Sequence, residues 1–461
     1  MVQETIVERP RYRAYGRRHL DRLPEIAQLS VDQRVALKAV STVLPFRVND
    51  YVLRELIDWD DIPNDPIYQL TFPQTGMLDL ADFLRLEDMV VQGEDGDRLQ
   101  RLVRDIHRRM NPNPGGQKLL NVPKVDGEPV LGCQHKYRET VLFFPLQGQT
   151  CHAYCTYCFR WAQFVGDKDL RFAAPDVGQL VRYLEEHEEV TDVLITGGDP
   201  MVMSASRLRS TIEPLLAPSL EHLQSIRIGS KSLSFWPYRF LTDGDADEIL
   251  CLFEKVRTAG KQLAFMAHFS HPRELGTRAV VEAIRRIRDT GAMVRCQSPV
   301  VRHVNDRADV LAEMWRRQVG LGLIPYYQFV ERDTGPKQYF QVPLGRALRI
   351  FSGAVAEVSG LSRTVRGPTM SATPGKVLVD GLAEVGGEKV FVLKFLQARD
   401  PGWVGRVIFA RYDSQVAWLD ELEPAGGEDL FFYEPFIKAM YQGRWQPEWA
   451  GGNDAGEELT A

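Results

Sequence analysis

Val141-Leu-Phe-Phe-Pro-Leu-Gln-Gly-Gln-Thr-Cys-His-Ala-Tyr-Cys-Thr-Tyr-Cys158 passes from an apolar run straight into three cysteines. Residues 141–146 read as a buried strand, and 147–150 as the loop that delivers Cys151, Cys155 and Cys158. The same alternation repeats downstream. β-rich runs at 192–196, 225–229, 262–269, 293–301 and 322–330 alternate with helical stretches such as 177–188, 246–259, 277–290 and 309–318. In 277–290, Ala279, Val280, Ala283, Ile284 and Ile287 share one face, with arginines opposite. Strand then helix, about six times over, marks a parallel β/α sheet. Six units are too few for a closed eight-stranded barrel. The expected fold is therefore α/β, an open, partial (β/α)6 barrel whose chemistry sits at the C-terminal strand ends.

Outward from this block, 31–110 reads as mostly helical, with helix-period apolar positions at 31–43 and 78–110. A Pro-Asn-Asp-Pro loop lies between them at 60–66. Residues 1–30 read as a loosely packed arm. Asn-Pro-Asn-Pro-Gly-Gly-Gln at 111–117 breaks the pattern. Past the sixth strand, 343–400 holds a helix at 344–359 and a loop-rich stretch, and 390–396 and 406–412 read as strands. From Asp420 onward ten acids face two basic residues, Lys438 and Arg444, and this tail reads as a solvated face or a frayed terminus. The expected division is a helical region at 1–115, the barrel at 116–345 and a C-terminal region at 346–461.

The chain has 461 residues, 44% hydrophobic and 26% charged, ordinary values for a folded protein and not for a disordered one. A net charge of -6, with basic residues scattered, gives no reason to expect a nucleic-acid partner. No apolar run reaches 18 residues, so no membrane partner is expected. The first 20 residues are charged and lack the apolar stretch of a secretion signal, which makes the cytoplasm the default location.

Six cysteines in a chain of this length do not make a disulfide scaffold. Cys251 lies in an apolar helical run and reads as a small buried hydrophobe; Cys133 and Cys296 fit core positions. The C-x3-C-x2-C triplet is different. Three thiolates at this spacing can hold three irons of a [4Fe–4S] cube and leave the fourth iron open for a substrate molecule. The bland alternative is zinc with His152 as fourth ligand, yet zinc favours paired knuckles far apart in sequence.

C-x3-C-x2-C with an aromatic before the last cysteine resembles the radical S-adenosylmethionine enzymes. In them the open iron chelates the methionine part of S-adenosylmethionine, and one electron yields a 5′-deoxyadenosyl radical that abstracts hydrogen. Further motifs narrow the resemblance: Leu194-Ile-Thr-Gly-Gly-Asp-Pro200, Arg227-Ile-Gly-Ser-Lys231, Ala267-His-Phe-Ser-His-Pro272, Cys296-Gln-Ser-Pro299 and Pro325-Tyr-Tyr327. Together these look like the lysine 2,3-aminomutase family over roughly 35–400. The resemblance implies a radical relayed to an amino acid held on pyridoxal phosphate, followed by 2,3-amino migration. It implies Cys151, Cys155 and Cys158 as cluster ligands and Gly197, Gly198 and Asp199 around the methionine amino group. His268 and Gln297 would line the S-adenosylmethionine pocket, Tyr137 would lie near the pyridoxal ring, and Arg160 would grip the substrate carboxylate, a task suited to a planar fork. Partners implied are a small amino-acid-like substrate, an electron donor such as flavodoxin or ferredoxin, and a second copy of the chain.

Three departures stand out. The family's pyridoxal lysine ends a glycine run, and two stretches compete for it: Ser371-Ala-Thr-Pro-Gly-Lys376 and Asp380 through Gly386-Gly-Glu-Lys389. Lys376 ranks slightly ahead of Lys389. The arginine expected to clamp the cofactor phosphate aligns with Thr140, with Arg138 as a substitute. The two aspartates that hold a lysine side chain align with Ser371 or Asp380, and with Arg332; a register shift of one would put Asp333 there and restore the lysine reading. An arginine there repels an ammonium and favours an acidic or neutral side chain. Lysine is thus not the expected substrate. The competing readings are a radical enzyme without pyridoxal phosphate, acting on a small carboxylate or a protein side chain, and a zinc- or cluster-stabilised binding protein.

Overall fold

The computed structural model describes residues 10–450. Eleven strands form one sheet: β1 Cys133–Tyr137, β2 Thr140–Phe143, β3 Asp192–Ile195, β4 Ser225–Ser230, β5 Gln262–His268, β6 Met293–Val300, β7 Ile324–Val330, β8 Arg366–Ser371, β9 Gly375–Val385, β10 Glu388–Ala398 and β11 Val407–Arg411. They lie side by side in chain order. β2 to β8 are parallel, and β1 and β9 to β11 flank them antiparallel. Among the described residues no ladder joins β1 to β11, so the α/β barrel is open, as expected.

Strand alternation sets the two faces. In β3 and β4, Val193, Ile195, Ile226 and Ile228 are buried in the core under the crossover helices. Leu194, Arg227 and Gly229 point the other way, into a central cavity. Helix Arg278–Asp289 buries Val280, Ala283, Ile284 and Ile287, the stripe its sequence dictates, and Thr277 caps it through Val280 N–H.

Four readings need correction. The loop-rich stretch holds β8, a seventh parallel strand, and β9. β8 (Arg-Gly-Pro-Thr-Met-Ser) lacks apolar alternation because its glycine lets the backbone press on β7: a Cβ on Gly367 would lie 2.5 Å from the Gln328 carbonyl oxygen. Of the two readings of the acidic tail, the frayed end fails up to residue 450 and the solvated face holds, with Glu421, Glu423, Glu428, Asp429 and Glu448 exposed. Its acids alternate with Leu422, Phe431, Tyr433, Phe436 and Trp445, which are buried against β9 to β11; Asp454, Glu457 and Glu458 lie outside the described residues. Of the N-terminal arm, 1–9 lie outside them too, whereas Leu20, Leu23 and Ile26 are buried. Cys251 is exposed, on the solvent side of its helix; Cys133 and Cys296 are buried.

The helical region at 31–110 splits into α-helices Val31–Val43, Pro66–Thr71, Leu80–Val91 and Asp97–Arg109, with Gly93 at φ 71° in the break between the last two. Its core includes Ala153 and Tyr157 of the cysteine loop, so it packs directly on the part of the chain that carries the chemistry. No helix among the described residues is long and apolar enough to cross a membrane.

Candidate active site

The inward faces of the strands enclose a cavity of about 300 Å³. It occupies the C-terminal half of the barrel, where the loops after β2, β3, β4 and β7 converge. Cys151, Cys155 and Cys158 all line it. Burial pushes their thiols up, that of Cys158 to about 11, so they are protonated until a metal displaces the proton.

Many bonds from the N-terminal region hold the cysteine loop. Arg47 Nη1 donates to the Cys151 carbonyl, and the Arg47 carbonyl accepts from Tyr154 N. The fully buried Asn49 gives its Nδ2 to the carbonyls of His152 and Phe235. Thr156 N bonds Leu70 O, and its hydroxyl bonds Gln69 O. His152 is not available as a zinc ligand: Nδ1 pairs with Ser232 Oγ at 2.9 Å, and the ring packs among buried residues outside the cavity lining. Among the described residues no three His, Cys, Asp or Glu side chains converge on one metal ion. A cube does not require that, because each thiolate binds a different iron.

The glycine motif after β3 acts through backbone approach. Gly197 has φ 148°, and a Cβ on Gly198 would sit 2.4 Å from the Thr150 carbonyl oxygen. This closeness lets Asp199 N bond the carbonyls of both Gly148 and Thr150. Gly197 and Gly198 line the cavity; Asp199 lies behind them. Its carboxylate accepts from Ser230 Oγ, Lys231 N and Ser232 Oγ, tying the loop to the end of β4. The Asp199 carboxylate thus fixes the loop from behind. His268 and Gln297 are register partners on β5 and β6, and Nε2 of each lies 2.8 Å from the other at the cavity wall.

On the opposite wall Lys376 lines the cavity and Lys389 does not. Lys376 Nζ donates to Gln397 Oε1 at 2.6 Å and lies between the rings of Tyr137 and Tyr327. Burial, with Arg227 nearby, lowers its pKa to about 7. Lys389 and Asp380 are exposed on the β9–β10 hairpin, Lys389 over the ring of Tyr412, so the hairpin carries both away from the site. Arg138 is exposed in the β1–β2 turn and cannot replace the missing phosphate clamp. Lys136 lines the cavity instead, a residue the sequence reading missed. A register shift between His135 and Tyr137 bulges β1, so that consecutive residues Lys136 and Tyr137 both face inward.

Arg160 is buried against Phe144, its Cζ 3.9 Å from the ring centroid, and its Nε has no hydrogen-bond partner. Next to it, Trp161 Nε1 bonds Thr334 Oγ1 at 3.0 Å and fixes this turn to the loop after β7. Arg332 lines the cavity, whereas Asp333 lies outside its wall, within 3.5 Å of Asn111 Nδ2.

No protein-family model matches the chain. Among curated proteins, a "Putative L-lysine 2,3-aminomutase" of Aquifex aeolicus is 30% identical over 397 residues, 86% of this chain and 92% of its own length. The L-lysine 2,3-aminomutase of Fusobacterium nucleatum is 26% identical over 318 residues, 69% and 67% of the two chains. A solved radical SAM methyltransferase from Sphaerobacter thermophilus matches 51% of this chain and 69% of its own at 14% identity, with a TM-score of 0.34 that carries no weight for the reaction. The extent of the Aquifex match makes this chain a divergent member of the lysine 2,3-aminomutase family of radical S-adenosylmethionine enzymes.

Proposed function

We propose that this enzyme moves the amino group of an amino acid other than lysine from C2 to C3 while a hydrogen passes from C3 to C2. The net change is an isomerisation, so substrate and product need no external oxidant or reductant. The observation that carries the reading is the meeting, in one cavity, of the cysteine triplet, the unpartnered Arg160 and a lysine of lowered pKa, Lys376.

The donor set fits the three groups the family implies. Cys151, Cys155 and Cys158 would hold the [4Fe–4S] cluster, and Gly197, Gly198, His268 and Gln297 would border S-adenosylmethionine. Lys376 would hold pyridoxal phosphate beside Tyr137, with Lys136 in the place of the missing clamp. When bound, cluster and S-adenosylmethionine supply a carbon radical able to take hydrogen from C3. Pyridoxal phosphate, when bound, supplies a conjugated ring that spreads an unpaired electron as nitrogen migrates.

The chain's own residues bind, orient and shield. Arg160 grips the α-carboxylate with a guanidinium already stacked in place on Phe144. Lys376 carries a lone pair on Nζ above pH 7, and Gln397 Oε1 accepts a hydrogen bond from Nζ and aims it. Phe144, Tyr326, Tyr327 and Phe329 line the wall and exclude water from radical chemistry. A flavodoxin- or ferredoxin-like donor would deliver the initiating electron, and self-association of the chain belongs to the same reading.

The test is anaerobic reconstitution with iron, sulfide and pyridoxal phosphate, then reduction with S-adenosylmethionine and a panel of amino acids. The reading expects S-adenosylmethionine cleavage, stoichiometric pyridoxal phosphate and a 3-amino product. A cluster without pyridoxal phosphate, even after its addition, would overturn the migration reading and favour a radical enzyme of different reaction.

A further inference from the structure

The cavity wall carries more positive than negative groups. Its lining includes Lys136, Arg160, Arg227, Lys231, Arg332 and Lys376, and one carboxyl, Glu331. Three of these have partners of their own. Arg227 Nε bonds Asp192, Lys231 bonds Glu274, and Lys376 bonds Gln397. Arg160, Arg332 and Lys136 make no hydrogen bond to a carboxylate. The nearest acid to Arg332 is Asp333, whose Oδ1 stands 3.9 Å from Nε, and the Arg332 Nε has no hydrogen-bond partner although its side chain is only 14% exposed. Its Nη2 reaches only the Pro114 carbonyl, at 3.5 Å. Lys136 Nζ contacts a carbonyl, that of Ala372. Burial pushes the Glu331 carboxyl well above the usual range, which disfavours its charged form and weakens any offset it gives to these charges.

A buried guanidinium with open donors costs stability unless a ligand completes it. Arg160 is taken up by the α-carboxylate in the reading above. That leaves Arg332, close enough for Arg160 and Lys136 to feel its charge. We propose that Arg332 forms a second anion site in the cavity, apart from the Lys136 ammonium assigned to the cofactor phosphate, and that it receives the side-chain carboxylate of a dicarboxylic amino acid such as glutamate. This rests on the amino-migration reading and gives it a substrate class. Arg332 is then a specificity residue: its fork pairs a planar carboxylate, and a lysine ammonium in the same place would be repelled. The same cationic chemistry could instead hold the cofactor phosphate, and the experiment separates the two.

The measurement is calorimetric binding of L-glutamate, L-glutamine and L-lysine to the reconstituted, non-reduced holoenzyme, with pyridoxal phosphate content assayed on each sample. Wild type should bind glutamate at least tenfold more tightly than glutamine, its neutral isostere, and more tightly still than lysine. Arg332→Gln should erase the glutamate preference and Arg332→Lys should keep part of it, both with unchanged pyridoxal phosphate content. Equal binding of glutamate and glutamine by wild type would overturn the proposal. So would loss of pyridoxal phosphate in Arg332→Gln with substrate preference intact, which would assign the site to the phosphate. Glutamate selectivity that depends on Arg332, in a protein that moves no amino group, would uphold the anion site and overturn the migration reading.

Discussion

Lys376 shows how burial alters one residue. An ordinary lysine is neutral roughly once in three thousand molecules at pH 7; with a pKa of about 7, Lys376 is neutral about half the time. Its reaction with pyridoxal phosphate should therefore rise through pH 7, and Lys376→Ala should abolish the visible absorbance of the bound cofactor while Lys389→Ala leaves it intact. Spectra of both variants between pH 6 and about 9 check this. A stability consequence follows with a fixed sign. Between about 7 and 10.5 the unfolded chain holds the Lys376 proton and the folded chain does not, so stability rises with pH over that window. Lys376→Met should lack this slope, and denaturant unfolding of the two proteins at pH 7 and at higher pH should show their difference shifting in favour of wild type. The cysteine triplet was legible because its spacing is local. The choice of Lys376 over Lys389 was not, since it depends on which way a hairpin carries each residue. Lys136 was hidden by a one-residue bulge that no hydrophobic pattern marks.

At the level of elements, the six β/α units were readable from alternating periods of two and 3.6. β8 and β9 were not, because glycines at 367 and 381 interrupt the alternation for the sake of close backbone approach and a register shift. The glycine loop after β3 is a tight backbone contact between elements at the site. Gly198→Ala would drive a Cβ into the Thr150 backbone and should cost about 1–3 kcal/mol in unfolding experiments, with reduced iron content after reconstitution. A stability unchanged to within 0.5 kcal/mol, roughly the scatter of a neutral substitution, would refute this account of the loop.

The whole molecule joins a helical N-terminal region to the barrel through the cysteine loop, an arrangement the sequence did not reveal because its hydrogen bonds span about a hundred residues. Asn49→Ala removes the donor to two carbonyls and the acceptor for Val52 N–H, all buried, and should lower stability by about 3 kcal/mol. Because the loop is held by the protein itself, removing the cluster should lower the melting temperature by mass action and leave far-UV circular dichroism unchanged at low temperature. Whether the cavity moves an amino group is decided by incubating the reduced, reconstituted protein with S-adenosylmethionine and L-glutamate labelled with ¹³C at C2, and following the carbon by NMR. The expected result is that C2 loses its nitrogen and becomes a methylene beside a new C3 amine. Cleavage of S-adenosylmethionine with glutamate, and every other amino acid of the panel, returned unchanged would contradict it.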